Sequence, residues 1–565
     1  MSIALALAGM LCFAPAAHAA ATGLGDPFFP KSGNPGYDVA DYNLSLNYQP
    51  HKNLLRATDT ITATATEGLV EYSLDLYKLK ATAVSVDGVP VAFRQSPSKL
   101  NITPPALISA GQQFTTVVSY RGRPGPIQDP DGSFEGWFRT GDGAVAFGEP
   151  LGTATWAACN NTLVDKATWS VEINVPANLH GVASGQLTGV RRNGARKLFN
   201  WRESQPMTPY LAALDIGRGA VKRSSSAGIP TWTGVDPRVS RATRRVLRKL
   251  PAVIRFEQRI FGPYPFDSAG SIVDPATVGY ALESQTRPTY SFDTDLITVV
   301  HETAHQWFGD SVGLSRWPDI WLNEGFADWS ELYWSERHGG LSAKQALRRY
   351  RRQSRTRRKL WAPPPGRPGD AKYLFAQSVY LRGGMALEAL REKVGTPTFF
   401  DILQTWTAQN RYGTAKTNQF IALAESISGK DLGPLFQRWL FKRGNPTRGK
   451  PVRPLQGFQQ WPAVPMAESR PRRVEVRSCT PQLEQCVAVI EQDLPDLGVE
   501  VGAESVADHG QRRIHAQGGA VGAVAEQSVE DVRDRDDPAL ERNLITGKAQ
   551  RIAVAVPALV MGQRD

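Results

Sequence analysis

Two histidines four residues apart, in His301-Glu302-Thr303-Ala304-His305, constrain this chain more than any other feature. On a helix that spacing turns both imidazoles to one face and toward one point. Glu302 lies beside that point without being needed as a ligand. After eighteen intervening residues comes Glu324, inside Trp321-Leu322-Asn323-Glu324-Gly325-Phe326-Ala327, placed to add a carboxylate oxygen. Two imidazoles and one carboxylate leave a tetrahedral Zn²⁺ an open position for water, which separates a catalytic site from a structural one. With 8 histidines in 565 residues, chance would place such a motif in fewer than about one in a hundred such chains. The fold must therefore set one helix against another. Periodicity and stop signals predict them over Asp293–Phe308 and Asn323–His338, the second halted by Gly339-Gly340.

Upstream, the texture is that of strands. Tyr42, Leu44, Leu46 and Tyr48 alternate with Asn43, Ser45 and Asn47, the period of a strand with one buried face. Similar runs recur over Thr58–Thr66, Tyr72–Leu79, Phe114–Tyr120 and Trp169–Val175, punctuated by Gly, Pro, Asn and Asp. Many short strands with turn signals imply an all-β, sandwich-like or saddle-like domain over residues 25–220. From about residue 221 to 448 the pattern turns helical, with Ser240–Phe261 a basic amphipathic helix, Ala376–Val394 another and more over Phe399–Leu440. The fold class expected is a multidomain α+β protein, a β domain followed by a mainly helical catalytic one. After Trp461 no Phe, Tyr or Trp occurs up to Asp565. Such a tail buries too little area to offset its ordering entropy, so residues 449–565 are expected to be disordered.

Composition sets further bounds. The 65 basic and 54 acidic residues give a net charge of +11. Much of the excess lies in one run from Lys344 to Lys359, read as a solvated helix face because no aromatic stacking pattern accompanies its arginines. No nucleic-acid partner is expected. Residues 1–20 are apolar and end in Ala17-His18-Ala19, a small-x-small cleavage pattern, although Lys and Arg are missing ahead of them. They read as a signal peptide, making the protein secreted, with a cytoplasmic location as the alternative. No later segment has eighteen consecutive apolar residues, so no stable membrane insertion is expected. Cys159, Cys479 and Cys486 show no metal-type spacing.

The zinc motif, with Gln306-Trp307-Phe308-Gly309 continuing it, resembles that of the aminopeptidase N family of zinc metallopeptidases (gluzincins) in its short secreted bacterial form. Ala281-Leu282-Glu283-Ser284 is similar to the last four positions of that family's GxMEN substrate-recognition motif. Tyr380-Leu381-Arg382-Gly383 resembles its YxKG segment, and Gly148-Glu149-Pro150 its acidic loop. The likeness runs from about Gly25 to Asn445. There are departures: Tyr280 stands where the motif begins with Gly, Leu282 replaces Met and Ser284 replaces Asn. The resemblance implies a thermolysin-like catalytic domain and one Zn²⁺ per chain. It further implies that Tyr380 is a catalytic hydroxyl, that Ala281 runs beside the substrate backbone, and that Glu283 and Glu149 grip its ammonium group.

Those assignments fit the chemistry. Zinc-activated water needs a proton acceptor, and Glu302 is placed for it. A free peptide N-terminus is a cation, and a dry cleft holds a cation only with anionic partners. The expected function is removal of the N-terminal residue from peptides with a free N-terminus. A catalytically silent peptide-binding relative and a thermolysin-type endopeptidase are the alternatives. Epoxide hydrolysis, found in one branch of the family, would use the same ligands. On the helix of Glu324, Asp328, Glu331 and Asn323 are candidates for orienting the imidazoles. His338 reads as a helix C-terminal residue.

Overall fold

The computed structural model describes residues 23–353 and 360–446. The segment expected to be a signal peptide, the low-aromatic tail with Cys479 and Cys486, and residues 354–359 of the basic run lie outside them. Tyr37–Gln49 and Leu54–Ala65 show why the first part is β: buried and solvent-facing residues alternate along both, with Tyr42, Leu44, Leu46 and Tyr48 fully buried. They pair antiparallel and lie in an eight-stranded sheet. On the other side of Tyr37–Gln49 runs Ala167–Pro176, in parallel, its Trp169 stacked on Tyr42 with ring centroids 4.3 Å apart. The predicted strand at Tyr72–Leu79 is shorter, Tyr72–Asp75, and buried on both faces. A second sheet of five strands includes Phe134–Arg139 and Ala144–Phe147, paired antiparallel so that Gly136 faces Phe147.

A third sheet leads into the helical part. Ala220–Ser226 and Ile229–Val235 form its hairpin, Ala269–Val273 and Thr289–Tyr290 run parallel to the second hairpin strand, and Ala281–Leu282 is its last strand. Arg287 rivets this sheet to the β domain: its buried guanidinium donates to the carbonyls of Ala269 and Gly185 and lies over the rings of Trp201 and Trp232. Lys166, on the β-domain side, donates to the carbonyls of Asp310 (2.7 Å) and Ser311 (3.1 Å).

The helices differ from expectation at their ends. Ser240–Phe261 is two helices, Arg241–Leu247 and Leu250–Phe261, because Pro251 suits a first turn and not an interior. The histidine helix is Leu296–Ala304, started by Asp295, whose side chain accepts the Thr298 N–H at 2.8 Å. Trp321–Arg337 carries Glu324 and is buried on nearly every side, as a central core helix must be. Against it packs Gln377–Val394. There Gly325 meets Gly383: a Cβ on Gly325 would sit 3.0 Å from the Gly383 backbone. Two facing glycines let these helices approach more closely than side chains would permit.

Candidate active site

His301 and His305 emerge from the last turn of their helix toward Glu324 on the next. Glu324 Oε2 lies 3.4 Å from His301 Nε2 and 3.5 Å from His305 Nε2. The other ring nitrogens are committed elsewhere. His301 Nδ1 is 2.7 Å from Glu331 Oε1, about two turns further along the Glu324 helix. His305 Nδ1 is 3.0 Å from the Phe308 carbonyl. That carbonyl turns back onto the ring because the chain reverses at Gly309, whose φ of +133° suits glycine and whose missing Cβ leaves room for Asn323 and His305.

These partners settle what the site can hold. With each Nδ1–H donated outward, both Nε2 atoms present lone pairs, and Glu324 Oε2 presents another to the same point. Three such donors repel unless a cation lies among them. Ligand atoms about 2.0–2.1 Å from a tetrahedral Zn²⁺ stand about 3.3–3.4 Å apart, and the spacings here match that edge. The set therefore fits zinc. The same crowding governs proton affinity. Burial works against the His301 imidazolium, but Glu324 and Glu331 outweigh it and hold its pKa well above the ordinary value. Burial likewise opposes a charged His305, yet Glu283 and Glu324 bring it up to about 9. Burial would raise Glu324, and the two imidazoles instead hold it down to about 2.

Around this centre lie the other groups. Glu302, Glu283 and His305 offer atoms all within 4.8 Å of one another. Burial pushes the Glu302 carboxyl up to about 7, the imidazoles pulling against it. Glu283 is also raised by burial, with His305 opposing. Its segment begins in the edge strand Ala281–Leu282, with Ala281 half-buried. Tyr380, in the first turn of Gln377–Val394, lays its ring 6.1 Å from that of His301, nearly parallel. Arg382, two residues on, points away: its guanidinium donates to the carbonyls of Trp361, Arg438, Trp439, Lys442 and Gly444.

Glu149 reaches the cluster from the β domain. Its loop packs on Tyr210, where a Cβ on Gly148 would sit 2.3 Å from the Tyr210 carbonyl. The Tyr210 hydroxyl is raised well above its usual pKa by burial and then by Glu283, Glu149, Asp310 and Glu324, so all four acids act electrostatically on one phenol. Of the residues singled out in the sequence, Glu331 contacts His301, and Asp328 has a carboxylate oxygen in one group with both of them. Asn323 donates to Tyr210 Oη at 3.5 Å rather than to a ring nitrogen. His338 caps its helix end, its Nδ1 2.8 Å from the Trp334 carbonyl.

Two functional neighbours escaped the sequence reading. Tyr210 lies in an unremarkable Thr-Pro-Tyr turn and carries no local signal. Asp310 has both carboxylate oxygens buried without a hydrogen-bond partner among the described residues, and burial, then Glu283, raise its pKa well above the ordinary value. Its place directly after the zinc motif was the available signal.

Comparison with known proteins agrees with this geometry. Residues 280–439 match the peptidase family M1 domain. Aminopeptidase M1 of Arabidopsis thaliana is 23% identical over 75% of this chain and 52% of its own length. Probable aminopeptidase 2 of Sulfurisphaera tokodaii is 24% identical over 71% of this chain and 52% of its own. The chain thus spans about half the length of these curated relatives. A crystal structure of an M1 zinc metallopeptidase from Deinococcus radiodurans, a glutamate-to-alanine mutant bound to a Tyr-Ser-Ala substrate, superposes with a TM-score of 0.70 at 28% identity. The match covers 76% of this chain and 100% of that one. The unmutated enzyme gives a TM-score of 0.69.

Proposed function

We propose, from the match of residues 280–439 to the peptidase family M1 domain and from the site they carry, that the protein is a zinc-dependent aminopeptidase removing the first residue of peptides. One observation carries the reading: Glu283, suited to an ammonium group, and Glu302, suited to proton transfer, converge with His305 within 4.8 Å. When held by His301, His305 and Glu324, Zn²⁺ supplies the Lewis acidity that makes water a nucleophile near neutral pH. Glu302 accepts the water's proton and returns it to the leaving amine. Burial raises the proton affinity of Glu302, which suits a group that must both take and give a proton. Tyr380, beside His301, donates its hydroxyl hydrogen to the oxygen on which negative charge develops. Glu283 and Glu149 hold the substrate's ammonium. The edge strand Ala281–Leu282 offers its backbone to the substrate as a further strand would.

A panel of aminoacyl fluorogenic amides and their N-acetylated counterparts, with and without chelator, tests the proposal. Free amides should be cleaved, acetylated ones spared, and activity should vanish with chelator and return with zinc. Equal cleavage of both series would make the enzyme an endopeptidase. No cleavage by zinc-loaded protein would make it a silent binder.

We infer that the protein is exported, on the strength of the apolar stretch ending in Ala17-His18-Ala19. N-terminal sequencing of protein from the culture medium should begin near residue 20. Recovery in the cytosol alone with Met1 retained would overturn it. Among the described residues no helix is long and apolar enough to cross a membrane.

A further inference from the structure

Tyr280 occupies the point where this chain departs from the glycine of the recognition motif, and the structure gives it two partners across the molecule. Its hydroxyl donates to the Phe134 carbonyl at 3.0 Å. Its ring meets that of Phe147 edge-on, with centroids 5.4 Å apart. Both partners belong to the β domain, whereas Tyr280 precedes the edge strand of the catalytic sheet. Its own backbone is fixed as well: Ser291 Oγ donates to the Tyr280 carbonyl at 2.7 Å and accepts the Gly279 N–H at 3.1 Å.

The positions of these contacts along the chain matter. Phe147 lies two residues before Glu149, and Tyr280 three residues before Glu283. The next residue after Phe134 completes the link. Glu135 is buried, and its Oε2 accepts the N–H groups of both Leu151 and Gly152 at 2.7 Å, closing the loop that carries Glu149. That loop is fixed from two further sides. Asn161 donates to the Leu151 carbonyl at 2.8 Å, and Thr153 Oγ1 donates to the Pro209 carbonyl at 2.7 Å. A Cβ on Gly152 would sit 2.5 Å from the Gly136 nitrogen, so the loop lies directly on the strand.

We propose that Tyr280 is a positioning residue that sets the spacing between Glu149 and Glu283, with Glu135 as its counterpart on the β-domain side. Tyr280 bolts the Glu283 segment to the strand Phe134–Arg139, and Glu135 bolts the Glu149 loop to the same strand. One strand thereby gauges the distance between two acids borne by different domains. Fixed spacing favours an ammonium group over a neutral amide, because two carboxylates must both approach one small cation. The proposal rests on the reading that these acids bind a free N-terminus.

Peptide binding in a Glu302→Gln background, which removes turnover, tests it by calorimetry. The probes are Tyr-Ser-Ala and its N-acetylated form, on zinc-loaded protein. Tyr280→Phe keeps the ring on Phe147 and removes only the hydroxyl. It should weaken the free peptide about 3- to 10-fold, the worth of one hydrogen bond. Affinity for the acetylated peptide and zinc content should stay unchanged, and the thermal midpoint should fall by no more than a few degrees. Glu135→Gln should erode the same discrimination, and the double variant should lose less than the product of the two single effects. If the starting protein binds both peptides equally, the exopeptidase reading itself fails. If it discriminates and Tyr280→Phe discriminates as well, the latch is overturned while that reading stands. Should Glu135→Gln misfold, the Tyr280→Phe comparison decides alone.

Discussion

Replacing Glu331 should weaken zinc binding by an amount the geometry sets. Glu331 touches no metal position. It accepts the Nδ1–H of His301 at 2.7 Å, a charge-assisted bond that fixes the ring and makes Nε2 a better donor. Loss of such a partner costs about 10- to 100-fold in metal affinity, or about 1.4–2.7 kcal/mol. The Glu331 side chain is 28% exposed, which puts the cost toward the lower end. Glu331→Gln keeps an acceptor and loses the charge, so about 10-fold is expected. Glu331→Leu loses both and should approach the upper figure. Zinc and protons compete for the same lone pairs, and Glu331 also helps hold the His301 pKa above its ordinary value. Removing it eases proton competition, so the zinc deficit should be smaller at pH 6 than at pH 8. Competitive titration against a fluorescent chelator at both pH values measures this. A zinc affinity within twofold of the starting protein at pH 8 for Glu331→Leu would refute the orienting role.

Other perturbations give equally direct readings. Glu302→Gln should retain stoichiometric zinc by metal analysis while kcat falls about 10²- to 10⁴-fold; a modest drop would move the proton transfer elsewhere. Gly325→Ala gains about 1 kcal/mol of helix propensity but drives a methyl to 3.0 Å from the Gly383 backbone. Overpacking at about 1–3 kcal/mol should win and lower Tm by a few degrees in a thermal scan; a raised Tm would contradict the contact. Asp59 is buried, and that burial raises its pKa to about 8 against an ordinary 3.8. Its contribution to stability is whole below pH 4 and is lost as pH climbs toward 8, at up to about 1.4 kcal/mol per unit for one proton. Denaturant titrations should therefore show a shallower decline between pH 5 and 8 in Asp59→Asn, and an identical slope would rule the residue out.

The convergence of His301, His305 and Glu324 was legible because a helix converts sequence spacing into direction, and two rings four residues apart have few other uses. Alternation revealed the long strands, whose two faces meet different surroundings. It overran at Tyr72–Leu79, where only Tyr72–Asp75 is a strand and both of its faces are buried. Helix ends were less legible. Pro251 was a visible breaker inside Ser240–Phe261, but the tertiary turn that ends the histidine helix after Ala304 leaves no local mark. Partners across the fold were less legible. Glu331 was one of three candidates on the Glu324 helix with no local sign to prefer it, and the acceptor for His305 is a main-chain carbonyl that no residue type announces. Tyr280 could be read only as a departure from a motif, since its partners lie some 130–150 positions away.

Arg382 turns the final stretch of the described chain into a foundation. One planar cation gathers oxygens from Trp361 and from four residues between Arg438 and Gly444, tying the Tyr380 helix to main chain some sixty positions downstream. A guanidinium has five N–H groups and an ammonium three, so lysine could not serve every oxygen in that wreath. Trimming the protein for crystallisation must therefore spare Arg438 to Gly444, or the hydroxyl-bearing helix loses four of its five moorings.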